Sequence, residues 1–309
     1  NIGTALIGVA LASACSGLGE ITYLALTSHY KKNTISAWSS GTGGAGIVGS
    51  LAYAVLTERS ILGLSPRTAL LIMLCVPVVF AFAYWIVLVP KRSLHSPSLK
   101  PSTWIVPNER NTRTDAVKDV TQIVEAPKHN ESMLRKLLPL LKFMVPLSLV
   151  YFGEYVINQG IAQLIFFDCS QGFGMSKGSQ YRWYQVLYQV GVFISRSSVG
   201  LIELNMWALY ALPILQLLNA AFLLVDSLLF FIPHIAIVFA VIFFEGLIGG
   251  GAYVNTFNQV HKQIPAHLKE FSIAIVGSSD SYGILLAGFL AIPLHNFICG
   301  QPIAFHARH

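Results

Sequence analysis

The chain has 309 residues, 54% of them hydrophobic and 11% charged, with a formal net charge of +6 and a mean hydropathy of +0.61. Soluble domains carry roughly 25% charged residues. So few charges exclude an ordinary water-soluble fold and point to membrane embedding; no nucleic-acid partner is expected.

A helix that crosses a bilayer needs about 20 apolar residues. In chain order, eight segments qualify: 2–28, 36–56, 69–89, 138–166, 183–201, 207–231, 235–259 and 271–298. The predicted fold is all-α, a polytopic helical bundle. The first span starts almost at Asn1 and lacks the basic n-region of a signal peptide. This abrupt start leads to the expectation that an N-terminal portion is missing.

The second span contains "WSSGTGGAGIVGS" (38–50), in which Gly41, Gly43 and Gly46 fit G-x-G-x-x-G. A dinucleotide fingerprint needs a preceding strand and a following helix in a βαβ unit, and no such pattern exists here. Helical spacing is the better reading. Gly41, Ala45 and Gly49 recur at i, i+4 and i+8, with Thr42, Gly46 and Ser50 in the adjacent row. This is a small-residue face that another helix can approach closely. Gly249 and Gly250, in the Gly249-Gly250-Gly251 run of span seven, are expected to allow a kink or a similar close approach.

Span three has no charge between 69 and 89, and the pattern then changes. Residues 90–137 hold five prolines, nine Lys/Arg and five Asp/Glu, the composition of a partly disordered linker. The domain layout is a partial N-terminal bundle (1–89, three spans), the linker (90–137), a C-terminal bundle (138–298, five spans) and a tail (299–309). Placing the linker in the cytosol puts thirteen Lys/Arg on that side and five on the other, which satisfies the positive-inside rule. The linker is where cytosolic trafficking partners would dock. Its sequon, Asn130-Glu-Ser132, would escape glycosylation there.

A faint repeat joins the two halves. "GEITY" (19–23) matches "GGGAY" (249–253), and "AGIVG" (45–49) matches "YGILL" (282–286). Transporters built from two repeated bundles have this pattern. In a six-plus-six layout, spans one and two would be the fourth and fifth helices, with three helices preceding Asn1.

Ionisable groups at mid-bilayer cost about 2.5–3.5 kcal/mol each on insertion scales and persist where they face a partner or a cavity. Glu154, near the middle of span four, shares its face with Asn158 at i+4, and Gln159 lies slightly round the helix. Glu245 is near the middle of span seven, Glu20 follows "SGLG" in span one, and Asp280 sits among serines in span eight. Each acid is read either as lining a substrate or ion path or as a protonated group bonded to a neighbouring helix. Arg196, in "FISRSSVG", is either a clamp for an anion or a side chain snorkelling to the interface. Tyr181, Trp183 and Tyr184 read as interfacial anchors, or Arg182 beside them recruits an anion.

Cys15, Cys75, Cys169 and Cys299 show no metal spacing. Three read as small core residues, and a Cys169–Cys299 disulfide stays open. No H-E-x-x-H, G-x-S-x-G or Walker loop is present, so no enzyme, cofactor or metal site is expected.

The stretches "SGLGEITYLAL", "WSSGTGGAG", "YFGEYVINQG", "QYRWYQVLYQVGVFISRSS" and "EGLIGGGAYVNTF" resemble the battenin family, lysosomal membrane proteins linked to juvenile neuronal ceroid lipofuscinosis. The resemblance spans nearly the whole chain apart from 90–137 and the last ten residues. It implies a major-facilitator-like fold, distantly similar to equilibrative nucleoside transporters, with about eight of about eleven helices present. It also implies a lysosomal or late-endosomal membrane location, clearance of glycerophosphodiesters from the lumen, and links to lysosomal pH and basic amino acid balance. Glu154 and Arg196 fall in the matching motifs "YFGEY" and "SRSS", where the family is sensitive to change. Two features depart from the family: Phe167-Asp168-Cys169-Ser170 lacks a glycosylation Asn, and no prenylation box closes the chain.

The expected function is that of a lysosomal secondary transporter or efflux factor for small polar anionic solutes, glycerophosphodiesters foremost. It would work by alternating access, with membrane lipids around it and protons as candidate coupling ions. The alternative is a non-transporting lysosomal scaffold, or a trafficking or pH-homeostasis protein.

Overall fold

The structure is a computed structural model that describes residues 2–30, 33–58, 61–89, 100, 133–265 and 268–301. Most of the expected linker, its sequon and residues 302–309 of the tail lie outside the described residues. Among those described, all regular structure is helical. The helices are α1 (Ile2–Leu26), α2 (Asn33–Thr57), α3 (Pro66–Met73), α4 (Cys75–Phe82), α5 (Met133–Leu137), α6 (Leu141–Tyr155), α7 (Lys177–Ser197), α8 (Met206–Leu229), α9 (Ile235–Gln263), α10 (Lys269–Gly277) and α11 (Ser279–Cys299). The chain is an all-α, polytopic membrane protein.

Among the described residues, six segments are long and apolar enough to cross a bilayer: Ile2–Leu26, Pro66–Val87, Arg135–Leu164, Met206–Leu229, Ile235–Gln263 and Lys269–Cys299. The other two expected spans coincide with α2 and α7, which are helical but more polar. The reason is visible in their packing. α2 is rich in Gly and Ser and lies against α7. α7 buries Gln180, Tyr184, Tyr188 and Ser195, so its polar groups meet protein rather than lipid.

Helix starts follow local chemistry. The hydroxyl of Ser176 accepts from the Ser179 amide (3.3 Å), opening α7, and Asn205 Oδ1 accepts from the Ala208 amide (2.9 Å), opening α8. Such caps satisfy amides that the first helical turn leaves free. Pro146, Pro213 and Pro293 sit inside α6, α8 and α11, as membrane bundles tolerate. The boundary expected at Ile232–His234 is confirmed. α8 ends with Phe230 at φ 50, and Asp226 Oδ1 accepts from the Ile232 amide (2.9 Å).

The chain divides into two compact units, residues 1–75 with 140–309, and residues 76–139. In the first, α7 packs between α2 and α9, α6 packs against α8, α9 and α11, and α1 lies on α10. The second contains α5 and residues 76–82 of α4, which continue as a π-helical turn, Ala83–Val87. All the candidate site residues belong to the first unit. Its interior holds two apolar clusters, one with Ile161, Tyr184, Val192 and Leu223, the other with Phe143, Leu147, Tyr253 and Phe257. Tyr155 packs against both.

The cysteines differ from the sequence reading. All four are free and exposed; Cys15, Cys75 and Cys299 lie on outward helix faces, where lipid rather than core packing accommodates an apolar thiol.

Candidate functional site

The site is built around α6. After Tyr155 this helix widens into a π-helical stretch, Val156–Ile161, and closes with a 3-10 turn, Ala162–Leu164. Such π-bulges recur at functional sites. Glu154 is 2% exposed, and its Oε1 accepts a short hydrogen bond from the Tyr188 hydroxyl on α7. Its Oε2 is buried without a hydrogen-bond partner, and lies where a side chain at Gly249 would stand: a Cβ there would be 1.9 Å away. The glycine therefore makes room for the carboxylate.

One turn on, Asn158 bonds the carboxylate of Glu245 and the backbone of Glu154. Its Nδ2 donates to Glu245 Oε1 on α9 (2.8 Å) and to the Glu154 carbonyl (3.2 Å). Its Oδ1 accepts from Gln185 Nε2 on α7 (3.0 Å). Glu245 is 0% exposed, and its Oε2 has no hydrogen-bond partner.

Arg196 is held from three sides. Its guanidinium donates to Thr42 Oγ1 on α2 (2.8 Å) and to the Tyr151 hydroxyl on α6 (3.0 Å). Its Cζ lies 4.0 Å from the centre of the Tyr253 ring on α9, a cation–π contact. Among the described residues it forms no ion pair with a carboxylate, and its Nε is buried without a partner. Glu20 reaches this group indirectly, because the Tyr253 hydroxyl donates to Glu20 Oε1 (2.9 Å) and accepts from Trp38 Nε1 (3.3 Å). Ser197, the next residue, bonds Ser40 (2.9 Å). Both line a cavity of about 500 Å³ between α2, α7 and α9, with Ser36, Asn258 and His261 on its wall.

The structure thus brings Glu154, Asn158 and Glu245 into one group of contacts and Arg196 and Glu20, through Tyr253, into another. Two others stand outside these hydrogen bonds. Asp280 is buried at 3%; among the described residues its carboxylate bonds the amide and hydroxyl of the adjacent Ser281, and it lies within electrostatic reach of Glu20, Glu154 and Arg196. Gln159 is exposed, because the widened turn directs it away from Asn158 and towards α11, with its amide oxygen 3.8 Å from a Cβ position at Gly288.

The small-residue face also differs. Gly41 and Gly49 have nothing within 4 Å of a Cβ position, and Ala45 is exposed. The close approach is made by Gly43, whose Cβ would lie 3.0 Å from the Phe193 backbone, and by Gly46, 2.0 Å from the Gln189 side chain. Phe193 and Gln189 project from α7 onto this strip of α2. On α9, Gly249 faces Glu154 and Gly250 faces Ser195, as close contacts at both positions require.

Sequence reasoning missed the tyrosines. Tyr151, Tyr188 and Tyr253 supply most of the polar contacts to Arg196 and Glu154, yet only their spacing from the charged residues signals it. Tyr151 precedes Glu154 by three positions and Tyr188 precedes Arg196 by eight, which places each pair along one helix side.

The sequence matches the family described as CLN3 protein over residues 1–301. It is 42% identical to battenin from Canis lupus familiaris, with 97% of this chain and 66% of that protein covered. It is 38% identical to Protein BTN1 from Yarrowia lipolytica (96% and 73% covered) and 35% identical to Protein btn-1 from Neurospora crassa (98% and 71%). The chain spans about two thirds of the dog battenin's length. No solved structure matches. A match over nearly the full chain, with such identities across it, means that this chain belongs to the CLN3 protein family.

Proposed function

We propose that the chain forms part of a secondary transporter of the lysosomal membrane that moves small anionic solutes, with glycerophosphodiesters as the favoured class. The observation that carries this reading is Arg196: a fixed positive charge inside the bundle, bonded to neutral hydroxyls and a ring rather than to a carboxylate. A guanidinium presents a planar fork of donors that suits a phosphodiester. Holding a half-buried charge with no carboxylate bonded to it among the described residues is costly, and an anionic solute is a group that would offset the cost. The serine-lined cavity beside Ser197 offers a way in. The buried acids Glu154 and Glu245 are the candidate carriers of a coupling proton. Similarity to battenin supports the lysosomal location, and two halves meeting at Arg196 support alternating access of a major-facilitator-like kind.

The test is efflux of labelled glycerophosphocholine from lysosomes of cells that make the full-length protein. Arg196→Gln is expected to cut efflux at least about tenfold, the cost of losing one charge-assisted pair, while Arg196→Lys retains part of it. Parental efflux from Arg196→Gln at equal protein level overturns the assignment.

A further inference from the structure

We propose that Glu58, Ser179 and Arg182 form a latch that holds α2 against α7 at the end remote from the cavity. The inference rests on the transporter reading, because a latch matters only if the two helices part.

The contacts form a closed three-residue cycle. Arg182 donates to Glu58 Oε2 at 2.9 Å, the Ser179 hydroxyl donates to the same oxygen at 2.7 Å, and Arg182 also bonds the Ser179 hydroxyl at 3.0 Å. The ion pair is partly shielded, with side chains 24% and 17% exposed. An exposed pair contributes little, whereas a shielded one with a third bonding partner is better placed to hold two helices together. Its placement gives the pair a role. Glu58 follows the last residue of α2, and Arg182 lies in the second turn of α7. The cavity is lined at the other ends of these antiparallel helices, by Ser36 and Ser40 of α2 and Ser197 of α7. At 1.5 Å per residue, roughly 30 Å separates latch from cavity along α2. The seam is thus closed by charge at one end and hollowed at the other, with Arg196 nearer the hollow end. Arg182, read from the sequence as a candidate anion recruiter beside interfacial aromatics, pairs with Glu58, so the ion pair joins segments that flank the linker. For alternating access the closed end must open, and this pair is the contact to break.

The test is chemical access. In full-length protein with Cys15, Cys75, Cys169 and Cys299 changed to Ser, Gln189→Cys places a thiol on the seam, two turns of α7 inward from Arg182. An impermeant maleimide is applied to oriented proteoliposomes from the latch side. Glu58→Gln and Arg182→Gln are each expected to speed labelling roughly tenfold, within the range of ordinary coupling between states. The exchanged pair, Glu58→Arg with Arg182→Glu, is expected to slow it again, and Ser179→Ala to give a smaller rise. Unchanged labelling in the single variants, or no slowing in the exchanged pair, overturns the latch. Only monodisperse protein is scored, and Ser179→Ala provides the readout if a charge variant fails to fold. Solute flux is measured separately. Labelling that follows this pattern without flux in the parent keeps the latch and removes the transport reading.

Discussion

Arg196 and Glu154 stay inside the bundle because their neighbours are matched to them. Tyr253 has two tasks: its ring lies under the guanidinium, while its hydroxyl ties Glu20 to Trp38. The tasks separate by substitution. Tyr253→Phe keeps the ring and loses the hydroxyl bonds, at a cost of about 1 kcal/mol in stability. Tyr253→Leu also loses the cation–π contact, worth a further 1–2 kcal/mol or about that. Solute flux should therefore survive the first change and fall with the second. Equal flux in both variants would show that the ring does not position Arg196. Gly249 is matched to Glu154 in the same way. A methyl there would meet Oε2 at 1.9 Å, so Gly249→Ala should displace the carboxylate from Tyr188 and destabilise by about 1–3 kcal/mol, as overpacking does. A thermal melt of the purified protein in detergent reads this directly.

At the scale of helices, the seams are set by backbone approach. A Cβ at Gly246 would lie 2.1 Å from the Tyr188 carbonyl, and one at Gly191 would lie 2.3 Å from the Phe243 carbonyl. Both obstacles are backbone atoms of the partner helix, which cannot rotate away. At Gly46 the obstacle is the end of the Gln189 side chain, which can. Gly49 meets nothing. The expected order of melting temperatures for alanine variants is therefore Gly49 above Gly46 above Gly246. Gly49→Ala should gain about 0.5–1 kcal/mol from helix propensity. A Gly246→Ala protein as stable as the parent would mean that α7 and α9 do not pack this closely. The same contrast explains what was legible in the sequence. Hydrophobic runs located the long helices, since length and apolarity are properties of one segment; the short α5, inside the expected linker, and the breaks between α3 and α4 and between α10 and α11 were not marked by them. Glu154, Asn158 and Glu245 could be singled out because charge and amide groups at bilayer depth are conspicuous. The face of α2 that turns inward was read only in part: Thr42 and Gly46 of the second row meet α7, whereas Gly41 and Gly49 of the first meet nothing, because periodicity offers several faces and Phe193 and Gln189 of another helix select one. The tyrosines were hidden for a related reason. An aromatic residue in a membrane helix looks like lipid-facing bulk until its hydroxyl has a partner.

At the scale of the molecule, Arg196 is a junction. Thr42 of α2, Tyr151 of α6 and Tyr253 of α9 converge on it from α7's neighbours, and α1 joins through Glu20. α1 and α2 precede the linker in sequence and the others follow it. The repeat noted between "GEITY" and "GGGAY" places Glu20 in one copy and Tyr253 in the other, so the two related segments meet at this point. A solute anion bound to the guanidinium would add contacts between helices from both sides of the linker, and the folded state should gain the whole of that binding energy. At a concentration of 100 times its dissociation constant, a ligand stabilises the folded form by about 2.7 kcal/mol. Glycerophosphocholine should therefore raise the melting temperature of the detergent-solubilised full-length protein in a concentration-dependent way, and free glycerol should not, because it carries no charge for Arg196. The rise should vanish in Arg196→Gln but persist in Glu58→Gln, whose change lies at the far end of the seam. A rise of equal size in Arg196→Gln would place the anion elsewhere in the molecule, and with it the reason for keeping an unpaired cation among these helices.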